Sequence, residues 1–145
     1  MPQPDVEAAP GYLIKRVQQQ LRRRCDAALR PTGLSMAQYA ALRALADHPD
    51  ASAAELARLC FVTRQSLQDV LGTLRSTGLV ALSDAQTPGR ARSLQLTALG
   101  SERLLVSHAA VEDVQAVMMQ GISPSTQSKL VELLSQCGDN LEREV

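Results

Sequence analysis

Aromatic side chains are nearly missing from this 145-residue chain: no tryptophan, one phenylalanine and two tyrosines, 2% of the residues. Apolar residues still reach 45%, so the core has to be assembled from Leu, Val and Ala. A chain of this length can bury enough of them for one folded domain. Ala, Leu, Gln and Arg are prominent, and they lose little rotamer freedom in helices, so the composition favours a helical protein. Long apolar runs are also absent. No stretch approaches the roughly 18 uninterrupted apolar residues of a membrane span. The opening Met1-Pro2-Gln3-Pro4-Asp5 lacks the basic start and apolar run of a secretory signal. These two absences point to a cytoplasmic protein.

Cysteine is scarce and scattered. Cys25, Cys60 and Cys137 are odd in number and form no CxxC pair, which excludes a disulfide framework and a zinc site and leaves small buried hydrophobes as the simplest role. Histidine is scarcer still. His48 falls in a turn, and His108 falls inside a helical segment where it packs in the core or at an interface. No GxSxG, P-loop, HExxH or glycine-rich strand-to-helix turn occurs, and no carboxylate pair has a context for acid–base work. Neither an enzyme nor a cofactor or metal is expected.

Net charge is also lacking, with 15 basic against 15 acidic residues. The average hides a gradient. Residues 11–100 carry twelve Lys and Arg against six Asp and Glu, residues 101–145 carry three against seven, and residues 1–10 add two acids. A basic middle fits a polyanionic partner, because binding responds to the local field rather than the total.

What is present is helical periodicity. Residues 1–10 hold three prolines and are expected to form a flexible arm. Ile14, Val17, Leu21, Cys25 and Ala28 recur at steps of three and four along a first helix, residues 11–29, which Pro31-Thr32-Gly33 ends. Ser35 caps a second helix through Met36, Tyr39, Leu42 and Leu45, stopped by His48-Pro49-Asp50. Ser52 caps a short third helix with Glu55 at the capping-box position. After the turn Cys60-Phe61-Val62, Thr63 caps a fourth helix with one apolar face, Leu67, Val70, Leu71 and Leu74, ended by Gly78.

The period then changes to alternation. Residues 79–82 and 93–96 are expected to be strands joined by a loop over residues 83–92, with Pro88-Gly89 at its tip. Thr97 caps a fifth helix to about Met119, with apolar residues on more faces than a monomer needs. Gly121 breaks it, and Ser123-Pro124 opens a sixth helix. The predicted fold is mainly α, a winged helix-turn-helix of order α-α-α-α-β-β-α-α with a helical dimerisation region. Its segments are a helix at residues 11–34, a winged helix-turn-helix lobe at 35–97 and two helices over 98–145.

Two short helices joined by a tight turn and followed by a basic hairpin form a reading unit for DNA. Turning about 100° per residue from Leu67 places Gln65, Asp69, Gly72 and Ser76 on the outer face of the fourth helix. Ser66 and Gln68 flank them, and Arg64 lies nearer the rim. Gln65 and Gln68 suit adenine, and Ser66 suits a base or a phosphate. Arg64 and Arg75, at opposite ends, suit phosphates that fix register. With the capping Thr63 and the wing residues Arg90 and Arg92, suited to a narrow minor groove, these are the candidate DNA contacts.

Four blocks carry a family likeness: Leu34-Ser35-Met36-Ala37-Gln38-Tyr39-Ala40-Ala41-Leu42, Ala54-Glu55-Leu56-Ala57, Leu71-Gly72-Thr73-Leu74-Arg75-Ser76-Thr77-Gly78-Leu79-Val80, and Gly89-Arg90-Ala91-Arg92-Ser93-Leu94-Gln95-Leu96-Thr97. In this order and spacing they resemble the MarR family of bacterial regulators, over residues 11–143. The resemblance implies a homodimer clasped by the first, fifth and sixth helices, with recognition helices in adjacent major grooves of a pseudo-palindromic operator. It often implies a small phenolic or aromatic ligand that loosens DNA binding. The pocket it implies would involve Arg24, Tyr39 and Arg43, lined by Met36 and Leu42. Some relatives sense peroxides through a cysteine early in the first helix. Cys25 comes too late to match, although Arg22, Arg23 and Arg24 nearby would favour a thiolate.

The chain departs from the family pattern at Pro88, where an Asp usually braces the wing arginine, and at Asp69, Gly72 and Thr73, where basic side chains are common. Ala81 stands where an Arg often follows Gly-Leu-Val. These departures predict fewer phosphate contacts and salt-sensitive binding. The expected function is a DNA-binding transcriptional regulator, a homodimeric repressor. The alternative is a winged-helix dimer with weak or lost DNA binding that serves as a protein-interaction module.

Overall fold

The computed structural model describes residues 5–83 and 93–143. The chain divides into two compact units, Met1–Val114 and Gln115–Val145.

The first unit begins with a 3-10 turn, Val6–Ala8, and then α1, Pro10–Leu29, whose first-turn proline needs no N–H partner. The turn occupies part of the segment read from sequence as an arm. Gly33 takes φ 76° after a second 3-10 turn, Arg30–Thr32, and so reverses the chain. In α2, Met36–Asp47, Ser35 and Gln38 form a full capping box: the Ser35 hydroxyl accepts from the Gln38 N–H at 3.1 Å, and the Gln38 side chain accepts from the Ser35 N–H at 2.9 Å. The cap of α3, Ala53–Leu59, is one-way, Ser52 accepting from the Glu55 N–H. The reciprocal box thus sits one helix earlier than the sequence pattern suggested.

The fourth helix, α4, is Arg64–Ser76. Strands β1, Val80–Leu82, and β2, Leu94–Leu96, pair antiparallel in the register Val80↔Leu96, Ala81↔Gln95 and Leu82↔Leu94. Between α4 and β1 the Thr77–Gly78 corner uses a positive φ of 80° at Gly78. The fifth helix, α5, is Ala98–Met118. Its start is tied to that corner. The Thr97 N–H donates to the Leu79 carbonyl at 3.0 Å, the Thr97 hydroxyl donates to the Gly78 carbonyl at 2.6 Å, and the same hydroxyl oxygen accepts from the Gly100 N–H at 3.0 Å.

The core of this unit is leucine-built, as the shortage of aromatics requires. Leu29, Leu42, Leu67 and Leu74 are fully buried among Leu34, Leu45, Leu56, Leu71, Leu79, Val80, Leu104 and Val111. Tyr39 is the single aromatic in it. Helix α4 packs on α2 and α3 through its leucine face. Arg103 on α5 donates to the Thr32 carbonyl at 2.8 Å and fixes the 3-10 turn that follows α1.

The second unit holds the turn at Gly121, φ 79°, and α6, Pro124–Glu142, capped by Ser123 accepting from the Thr126 N–H. No residue of α6 is buried, and Leu141 is 87% exposed. In the first unit the early turns of α1 are similar: Tyr12, Leu13, Ile14 and Val17 are exposed. Of the predicted α1 stripe, Cys25 is buried, Leu21 and Ala28 are half-buried, and Ile14 and Val17 are exposed.

Candidate nucleic-acid interface

The local sequence explains why α4 presents one polar face. Leu67, Leu71 and Leu74 are buried and Val70 is half-buried, so rotation about the helix axis is set by packing on α2 and α3. The opposite face is left outward, and Thr63, Arg64, Gln65, Ser66, Gln68, Asp69, Gly72 and Arg75 are all exposed. Thr63 caps the helix by accepting from the Ser66 N–H at 3.1 Å, while its own hydroxyl donates to Ser66 Oγ at 3.0 Å. Ser66 thus meets solvent already engaged with the cap.

Two side-chain relationships on this face were not evident from spacing alone. The Gln65 amide donates to the Asp69 carboxylate at 3.3 Å, so the acid that disfavours phosphate is held against a neutral neighbour one turn away. Thr73, Ser76 and Thr77 direct their hydroxyls onto carbonyls of their own helix, at Asp69, Thr73, and Thr73 with Leu74. The face therefore offers Gln65, Gln68 and Ser66 in its first half and little but Arg75 in its second. Neither Arg64 nor Arg75 pairs with an acid among the described residues, which leaves both cations available to phosphates. Arg90 and Arg92, with Pro88, lie outside the described residues.

Phe61, in the turn ahead of α4, was passed over in the sequence. The signal for it was a bulky residue where a helix normally ends on glycine.

The candidate ligand residues are dispersed. Arg24 is exposed and lines a surface depression of about 420 Å³ with Gln20, Arg23, Asp26, Ala27 and Arg30, and none of the other three candidates shares that lining. Arg43 closes on Asp47 through two hydrogen bonds of 2.9 Å. Met36 is half-buried against the core, and Leu42 is wholly inside it. Tyr39 is buried, and its hydroxyl meets His108 Nδ1 at 2.9 Å, while His108 Nε2 meets Glu112 at 3.0 Å. Burial pushes the Tyr39 phenol above its ordinary value, against a smaller opposing pull from Arg43. Another open cleft, of about 480 Å³ and lined by Arg30, Pro31, Thr32, Gly33, Leu99, Glu102, Arg103 and Val106, has no signature in the sequence, because its two walls lie far apart in the chain.

The redox reading of Cys25 is corrected. The thiol is buried, and burial, reinforced by Asp26, raises its pKa above the ordinary value, whereas Arg22, Arg23 and Arg24 are exposed. A protonated, covered thiol is a poor nucleophile. Among the described residues no three His, Cys, Asp or Glu side chains group as a metal site, and no helix is long and apolar enough to cross a membrane.

A capped recognition helix packed on a helix pair and followed by a two-stranded hairpin defines a winged helix-turn-helix protein. A family model described as the MarR family matches residues 32–91. The HTH-type transcriptional repressor Rv2887 of Mycobacterium tuberculosis is 34% identical over 134 residues, which span 92% of this chain and 96% of that one. The crystal structure of that protein with salicylic acid matches at a TM-score of 0.76, with 33% identity over 91% of this chain and 98% of the other. Its complex with DNA matches at 0.73, with 34% identity over 90% and 98%. The transcriptional regulator PA3341 matches at 0.82, with 29% identity over 92% and 98%. This chain belongs to the MarR family of transcriptional regulators, a family of regulators rather than enzymes.

Proposed function

We infer that the protein is a transcriptional repressor that binds a pseudo-palindromic operator as a homodimer and is released from it by a small aromatic acid. The observation that carries this reading is the outward row Thr63, Arg64, Gln65, Ser66, Gln68, Asp69 and Arg75 on a helix held by its leucine face, in a chain of this family. Residues 35–97 act as the DNA-binding lobe. Gln65 and Gln68 read bases, Arg64 and Arg75 fix phosphates, and Arg90 and Arg92 of the hairpin loop reach the minor groove. Segments 11–34 and 98–145 carry dimerisation, and a chromosomal target implies a cytoplasmic protein.

The dimer is supported by apolar side chains that the chain leaves uncovered on three helices, among them Ile14 and Val17 on α1, Leu105 on α5 and Leu133 on α6. Burying such side chains in a partner removes apolar area from water. The small-molecule step is supported by the relative's complexes with salicylic acid and p-aminosalicylic acid. In this chain Arg24, Met36, Tyr39 and Arg43 are the proposed ligand contacts. A ligand that binds the spread-apart dimer better than the DNA-ready one lowers operator affinity by that difference.

The test is fluorescence anisotropy on duplexes from the gene's own upstream region, at low and moderate salt, with and without salicylate. Retention at low salt that falls steeply as salt rises, and falls further with salicylate, is the expected result. Absence of binding to any genomic fragment at low salt would overturn the reading in favour of a protein-interaction module. Arg24→Ala, Tyr39→Phe and Arg43→Ala are each expected to weaken the salicylate response and leave ligand-free DNA binding in place.

A further inference from the structure

Phe61 is the one phenylalanine of the chain and is 94% exposed, the highest value among the large apolar residues described. It is also the one non-glycine residue with a positive φ among the described residues, 56°. The reason is local. Helix α3 ends in a Schellman motif in which the Val62 N–H donates to the Ala57 carbonyl at 3.0 Å and the Phe61 N–H donates to the Arg58 carbonyl at 3.1 Å. That motif places Phe61 at the left-handed position, where glycine fits without strain and a phenylalanine does not. The residue is therefore unfavourable twice, in its backbone and in an uncovered aromatic ring. Packing within the described residues compensates neither, since Val62 and not Phe61 joins the core.

Its position suggests what does. Phe61 stands two residues ahead of Thr63, the N-cap of α4, and the next three side chains, Arg64, Gln65 and Ser66, are exposed. A recognition helix enters the major groove with its N-terminal residues at the bases while the preceding helix crosses the backbone. The turn between the two then comes down at the groove edge. We propose that Phe61 is an apolar DNA contact, packing on a thymine methyl or on the edge of a deoxyribose beside the bases read by α4. This rests on the DNA-binding reading above. Phenylalanine is suited to a thymine methyl, and the two Schellman hydrogen bonds hold its backbone in place before binding, so less order has to be imposed on contact.

The experiment compares wild type, Phe61→Gly and Phe61→Asn on the operator duplex recovered from retained genomic fragments, and on the same duplex with single thymines replaced by uracil. Both replacements tolerate positive φ, so the thermal midpoint is expected to hold or rise while affinity falls about tenfold, ~1.4 kcal/mol. Loss of affinity on one uracil substitution in wild type, but not in Phe61→Gly, assigns the contact to that methyl. An equal loss for Phe61→Gly on thymine and uracil duplexes assigns it to the sugar. If both variants bind as tightly as wild type while Arg64→Ala binds more weakly, the inference is overturned, the DNA reading stands, and Phe61 is left for a protein partner. Failure of wild type to bind any fragment overturns the DNA reading itself.

Discussion

The Tyr39 hydroxyl on α2 lies 2.9 Å from Nδ1 of His108 on α5, 69 positions later in the chain, with the two rings stacked 16° from parallel. His108 Nε2 lies 3.0 Å from the Glu112 carboxylate, so phenol and imidazole together bridge α2 and α5. This links the helix that supports α4 to the helix that carries unpartnered apolar side chains. Tyr39→Phe keeps the ring and removes the bond, and is expected to lower unfolding free energy by about 1 kcal/mol in urea titrations. An unchanged midpoint would show the link to be energetically idle.

The same tyrosine gives an alkaline prediction. Its pKa is raised in the fold, chiefly by burial, from an ordinary value of 10.0. The folded state therefore holds the proton more tightly than the unfolded chain. That contribution is fully present below 10.0 and is lost as pH rises through the folded value. Urea midpoints of wild type should drop through this window, and those of Tyr39→Phe should drop less.

Two glycines predict opposite signs. A Cβ at Gly100 would be driven into the Leu79 carbonyl oxygen and would lie 2.9 Å from its carbonyl carbon, and neither backbone atom can swing away. Gly100→Ala is expected to destabilise by roughly 1–3 kcal/mol or more as α5 is pushed off the corner. At Gly72 nothing lies within 4 Å of a Cβ, so Gly72→Ala should stabilise α4 by about 0.5–1 kcal/mol. Thermal melts of the pair decide both.

The proposed dimer predicts a solution mass near twice the 15.6 kDa of the chain. Val17→Glu combined with Leu133→Glu places charge among side chains uncovered in the chain and is expected to shift light-scattering mass toward one copy. A wild type that runs as a monomer at micromolar concentration would remove the basis for a two-fold operator.

Thiol chemistry gives the last prediction. Buried Cys25, with its raised pKa, should react with a thiol reagent no faster than the protein unfolds. Cys25→Ser should leave any peroxide effect on DNA binding unchanged. Rapid labelling of Cys25 in the native protein would restore the redox reading.

Much of the fold is legible in the chain because its signals are local. Ser35, Ser52, Thr63, Thr97 and Ser123 are hydroxyl residues placed where helices begin, and each accepts from the N–H three residues on. Gly33, Gly78 and Gly121 take the positive φ their positions call for. The outward face of α4 follows from its leucine spacing in the same way. The Gln65–Asp69 contact and the helix-directed hydroxyls of Thr73, Ser76 and Thr77 depend on rotamers, which spacing does not encode.

The order of secondary structure, the capped recognition helix and the leucine core were set by periodicity and capping, which act within a few residues. Folding alone decided that Tyr39 meets His108, that Arg103 reaches Thr32 and that Gly100 lies against Leu79. These contacts join residues about 20 to 70 positions apart, and helical and strand periods carry no information over that range. It also decided that Phe61 is left uncovered, since exposure belongs to the packed chain and not to the residue.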